Sequence, residues 1–141
     1  MHPMSRPAQL VQLPAIADAR GHLGVISAAQ DLGFPLRRLF YIYHTPATAH
    51  RGGHAHKALQ QFLIVIGSTP ITLSLDNGHT TSLFQIQPYT QGLYIPPMHW
   101  VDIDNIPADT CILVACSDEY DEADYLRDYP DFLQHVRAQG K

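Results

Sequence analysis

A hairpin between residues 71 and 86 is the feature that most narrows the fold. Ile71-Thr-Leu-Ser-Leu75 alternates apolar and polar side chains, Asp76-Asn-Gly-His79 follows, and Thr80 to Ile86 returns with strand-like composition. Asn-Gly between two such runs is a strong hairpin signal, because both residues accept the positive φ that a tight turn demands. Other short runs of the same kind flank it. Leu39-Phe-Tyr-Ile-Tyr43 is stopped by Thr45-Pro46, Leu59 to Ile66 by Gly67, and Gln91 to Ile95 by Pro96-Pro97; Trp100 to Ile103 and Thr110 to Cys116 complete the series. Short strands at regular spacing, with turn residues between them, predict an all-β sandwich or barrel and exclude a parallel α/β sheet.

The ends of the chain are patterned differently. The opening to Pro14 is weakly patterned, and Asp18 to Ile26 reads as a turn carrying Asp18 and Arg20 into a short strand. Tyr125 to Val136 has helical spacing, with Pro130 suited to a first turn, so a short C-terminal helix is expected. The acids between Ser117 and Asp131 read as a solvated face and as charge complementing that helix dipole.

With 141 residues the chain suits one domain, residues 1–141, and a formal charge of −4 gives no basic face for nucleic acid. No apolar run is long enough to span a bilayer, and Met1 to Leu10 lacks the basic-then-apolar order of a signal peptide; a cytoplasmic protein is expected. Cys111 and Cys116 lie five apart in one strand-like run, on opposite faces, and read as unbridged core thiols.

Function concentrates in His50-Arg-Gly-Gly-His-Ala-His-Lys57. In an extended strand residues i and i+2 share a face, so His54 and His56 project together while Ala55 turns away. Antiparallel strands, glycines before a His-x-His pair and a later turn with Pro96, Pro97 and His99 resemble a cupin, the double-stranded β-helix form of the jelly roll. Metal-binding cupins follow His-x-His with a glutamate; here Gln60 and Gln61 stand near that place, and an amide is a poor substitute for a carboxylate ligand. Packing against the barrel wall, a metal site completed by His99, and metal-free acid/base chemistry are the competing readings of the pair. The absent carboxylate favours the last. Arg51, beside two glycines that allow close approach, suits an anion such as phosphate, with Arg20 as a second clamp, Lys57 as a further cation and His99 as a further candidate substrate contact.

The motifs Leu39-Phe-Tyr-Ile-Tyr43, Arg51-Gly-Gly-His-Ala-His-Lys57, Leu75-Asp-Asn-Gly78, Gly92-Leu-Tyr-Ile-Pro-Pro97 with Trp100, and Ala115-Cys-Ser-Asp118 running into Asp124-Tyr-Leu-Arg127 together resemble the sugar 3,4-ketoisomerases of the WxcM-like cupin group. The resemblance spans roughly Asp18 to Val136. It implies an enzyme that moves the carbonyl of dTDP-4-keto-6-deoxy-glucose from C4 to C3 through an enediol, with neither metal nor organic cofactor, to supply aminotransferases building 3-amino-3,6-dideoxy sugars. By the same resemblance His56 would take the C3 proton with His54 assisting, Tyr41 and Tyr43 would contact the hexose, Arg51 and Arg20 would hold diphosphate or sugar, and the protein would form a homodimer. A dTDP-sugar 3,5-epimerase-like cupin and a non-catalytic sugar-nucleotide binding module are the alternatives.

Overall fold

A computed structural model describes residues 6–140; Met1 to Ser5, the first half of the segment read for a signal pattern, lie outside the described residues. In chain order come β1 (Gln9–Gln12), β2 (Ala15–Asp18), β3 (Gly21–Gly24), β4 (Arg38–Ile42), β5 (Arg51–His56), β6 (Gln61–Ile66), β7 (Ile71–Asp76), β8 (Thr81–Ile86), β9 (Gln91–Ile95), β10 (Trp100–Ile103), β11 (Cys111–Cys116), β12 (Tyr125–Leu126) and the helix α1 (Tyr129–Ala138). They build two five-stranded antiparallel sheets, ordered β1-β9-β6-β11-β4 and β12-β5-β10-β7-β8, with β2 and β3 as a separate hairpin. This is the all-β jelly roll, with a short C-terminal helix, that the resemblance to a cupin implied.

The β7–β8 hairpin forms with Ile71 opposite Ile86 and Asp76 opposite Thr81. Gly78 takes φ +93° at its turn. The Gly78 amide donates to the Asp76 carboxylate at 2.7 Å and the Thr80 amide to the Asn77 side chain at 2.9 Å. Alternation along β7 sends Ile71, Leu73 and Leu75 inward, where they meet Leu63, Val65, Leu93, Ile112 and Val114 of the facing sheet. Each such side chain stabilises the fold by about 1.5–3 kcal/mol through burial.

Three elements depart from the sequence-based expectation. Gln9 to Gln12, weakly patterned, is an edge strand held by backbone pairing to β9, a contact that needs no side-chain alternation. A single π-helical turn, Ala28–Leu32, brings Leu32, and Phe34 after it, onto Phe62, Tyr94 and Ala115 on the outer face of the first sheet. The helix begins at Tyr129 rather than Tyr125, because Asp128 caps it by accepting from the Asp131 amide at 3.1 Å and Pro130 sits in its first turn. Tyr125 and Leu126 instead stay extended and pair with His56 and Ala55. The helix packs Phe132 and Val136 on Ala55 and Leu126, so the outer face of β5 is covered by apolar contacts. Cys111 is half-buried and Cys116 buried, both as free thiols. Among the described residues no helix is long and apolar enough to cross a membrane.

Candidate active site

The glycine pair before the histidines shapes β5. Gly52 and Gly53 take φ +95° and +72°, and the pairing with β10 slips there, so that Val101 opposes His54 while Asp102 opposes Gly52. A Cβ on Gly52 would lie 2.4 Å from the Val101 carbonyl oxygen. The pair is therefore a bulge that only glycine accommodates, and it re-aims the strand beyond it. From there Ala55 points to the helix, and His54 and His56 point between the sheets with ring centroids 5.2 Å apart, edge to face.

Two adjoining hollows open at this edge of the sandwich. One, of about 310 Å³, is lined by His54, Arg51, Gln61, Tyr125 and Arg127 over apolar walls that include Phe40 and Ile42. The other, of about 470 Å³, is lined by His56, Arg37, Arg38, Tyr120 and Asp124, with Tyr125 common to both. The Tyr125 ring lies 5.2 Å from that of His54 and 4.3 Å from that of His56, forming the partition.

His56 is 5% exposed. Its Nδ1 lies 3.0 Å from Asp124 Oδ2, and the other carboxylate oxygen accepts the Ala58 amide at 2.8 Å. Its Nε2 is buried and has no hydrogen-bond partner among the described residues. Burial, reinforced by His54, pushes the His56 pKa down to about 4 despite the opposing carboxylate. Desolvation thus outweighs the ion pair, and the imidazole is neutral near pH 7. His54 is likewise lowered by burial, against a hydrogen bond with the Gly52 backbone. Two neutral imidazoles side by side can accept and return protons.

Basic side chains border the cavity. Arg127 lies over the Tyr125 ring at 4.1 Å and forms a fork with Glu122 at 2.8 and 2.9 Å, while the Tyr120 hydroxyl donates to Glu122 at 2.8 Å. His50 stands between Asp104 and Asp102, at 2.8 and 2.9 Å, and its hydrogen bond to Asp104 above all raises its pKa.

The structure gathers some of the predicted site residues and disperses others. His54, His56 and Arg51 come together. Tyr41 and Tyr43 do not join them: they are 61% and 59% exposed and face outward. The reason is strand period, since β4 turns Phe40 and Ile42 inward and the tyrosines to the opposite side. Arg20, with its side chain 89% exposed, is ion-paired at 2.7 Å with Asp18 on the separate β2–β3 hairpin and clamps nothing at the histidines. Lys57 and His99 line a different hollow, of about 690 Å³. His99 is held there by donating from Nδ1 to the Pro97 carbonyl at 2.9 Å, and Lys57 donates to the Ala123 carbonyl at 3.1 Å. The His99 placement removes the third ligand of the metal reading. Among the described residues no three His, Cys, Asp or Glu side chains are grouped to hold a metal ion. Of the two glutamines, Gln61 lines the cavity and Gln60 accepts from the Tyr94 hydroxyl at 2.7 Å.

Asp124, Tyr125 and Arg127 were not singled out as site residues in the sequence. Their signal was the Asp124-Tyr-Leu-Arg127 motif, hidden within acids that read as helix and surface charge.

Comparison with known proteins gives the same assignment. A family model described as FdtA: WxcM-like, C-terminal, matches residues 6–137. A TDP-4-oxo-6-deoxy-alpha-D-glucose-3,4-oxoisomerase from Aneurinibacillus thermoaerophilus is 31% identical over 128 residues, covering 91% of each chain. The crystal structure of a 3,4-ketoisomerase from Helicobacter canadensis superposes with a TM-score of 0.87 at 32% identity, covering 92% of this chain and 97% of that one. A His→Asn variant of the 3,4-ketoisomerase QdtA from Thermoanaerobacterium thermosaccharolyticum, in complex with TDP-4-keto-6-deoxyglucose, superposes with a TM-score of 0.89 at 29% identity over 96% of this chain and 98% of that one. Fold and relatives define the class, a cupin-like isomerase. The chain belongs to the FdtA, WxcM-like C-terminal family.

Proposed function

We propose that the protein converts a TDP-linked 4-keto-6-deoxy-glucose into its 3-keto isomer, with His56 as the base. His56 Nε2 removes the proton from C3, the C–H electron pair forms the C3=C4 double bond, and the C4 oxygen becomes an enediolate. Proton transfer from the C3 hydroxyl and reprotonation at C4 complete the shift, with His54 as the adjacent donor and acceptor. The observation that carries this reading is the same-face histidine pair, in which His56 is buried and its Nε2 has no partner among the described residues. The relatives named as 3,4-ketoisomerases support it, as does the substrate complex of the histidine variant. Arg51, on the rim of the smaller hollow, suits the diphosphate.

The same reading makes the protein a homodimer, supported by the outward apolar side chains Ile16, Leu23, Leu39, Tyr41 and Tyr43, which a second copy would cover. It also places the reaction in the cytoplasm, in keeping with free thiols, upstream of an amination at C3. The test is incubation with TDP-4-keto-6-deoxy-glucose and NMR identification of the product. A 3-keto sugar is expected from the wild type and none from His56→Asn, with TDP binding retained in both; a C5 epimer, or full turnover by His56→Asn, would overturn the reading.

A further inference from the structure

We propose that Asp124 is a positioning residue that selects the His56 tautomer, holding the proton on Nδ1 so that Nε2 presents its lone pair. The inference rests on the reading of His56 as the base and adds the group that sets its orientation.

A carboxylate can only accept a hydrogen bond when ionised, so the 3.0 Å contact from His56 Nδ1 to Asp124 Oδ2 places the ring proton on Nδ1. Asp124 is itself fixed, because its Oδ1 accepts the Ala58 amide at 2.8 Å. The side chain is therefore locked at both oxygens. The local backbone does not need it: the segment is tied to β5 by the Lys57 amide donating to the Asp124 carbonyl at 2.9 Å and by the pairing of Tyr125 with His56 and Leu126 with Ala55. A shape-conserving change of this side chain consequently acts on the imidazole and spares the strand pairing.

Asp124→Asn exploits that geometry. The Ala58 amide requires an acceptor at Oδ1, so the asparagine oxygen stays there and its NH₂ group faces His56 Nδ1. That nitrogen must then accept, and the ring proton moves to Nε2, where it blocks base function. The backbone, the arginines and the other walls of the cavity keep their places and the asparagine keeps the shape of the aspartate, so substrate affinity is expected to be retained.

The experiment combines ¹⁵N NMR of histidine-labelled protein with steady-state kinetics on TDP-4-keto-6-deoxy-glucose. In the wild type the His56 Nε2 signal is expected in the unprotonated range, and in Asp124→Asn in the protonated range. The kcat of the variant is expected to fall on the order of 10³- to 10⁴-fold, as when a triad aspartate is changed to asparagine, with KM little altered. A wild-type spectrum with the proton on Nε2, an unchanged tautomer in the variant, or wild-type kcat in the variant would overturn the proposal. The spectra separate this inference from the one beneath it: the predicted tautomers together with full turnover by His56→Asn would refute the base and leave the role of Asp124 in tautomer selection standing. Should Asp124→Asn not fold, the wild-type spectrum alone still decides.

Discussion

Acidification should destabilise this protein through His56, by an amount the structure sets. The imidazole is buried, and burial with its neighbour His54 brings its pKa from the ordinary 6.5 to about 4. In the unfolded chain the ring regains its ordinary value, so on lowering the pH the unfolded state binds the proton first. The sign follows: stability is intact above about pH 6.5, declines as the pH falls, and is fully diminished below about pH 4. The interval between those values corresponds to about 3 kcal/mol, a large part of the margin of a domain this size. His54, lowered by burial in the same direction, adds to the slope in the wild type and in any variant that keeps it. The comparison is therefore with His56→Asn. Urea unfolding of both proteins between pH 7 and pH 4, extrapolated linearly, should show the wild type losing about 3 kcal/mol more than the variant over that range. Parallel pH dependences would refute the claim that His56 is buried and neutral.

Further expectations concern the frame of the site and its rim. Gly52→Ala places a Cβ 2.4 Å from the Val101 carbonyl oxygen at φ +95°, so thermal unfolding should report a marked loss of stability together with lost turnover, as β5 can no longer bulge. Phe132→Ala removes a fully buried ring beneath β5 and should cost about 3–5 kcal/mol in chemical denaturation. Arg51→Gln should weaken TDP binding in calorimetry, more strongly at low salt than at high, while leaving the unfolding midpoint near that of the wild type.

The fold was legible in the sequence where side chains alone decide it. Asn77-Gly78 and the alternation of Ile71, Leu73 and Leu75 announce the hairpin, and the apolar runs at Leu59–Ile66 and Thr110–Cys116 announce interior strands. What escaped depends on partners far away in the chain. Gln9 to Gln12 becomes a strand only because β9 offers an unpaired edge, and Tyr125 to Leu126 remains extended because β5 captures it before the Asp128 cap starts the helix. The site divides along the same line. His54 and His56 share a face by local geometry, and Arg51 follows from adjacency. Asp124 and Tyr125 reach the histidines only through the pairing of β12 with β5, across 68 residues for the His56–Asp124 contact. The resemblance implied Tyr41 and Tyr43 at the sugar, yet a strand has two faces, and the apolar Phe40 and Ile42 claim the interior.

The central claim, that His56 moves the keto group by abstracting the proton at C3, is tested most directly by running the reaction in deuterated water with TDP-4-keto-6-deoxy-glucose and following the ring signals by NMR. Washout of the C3 proton and deuterium at C4 of a 3-keto product are expected, both abolished in His56→Asn. Deuterium at C5, or formation of the 3-keto product by His56→Asn at the wild-type rate, would contradict it.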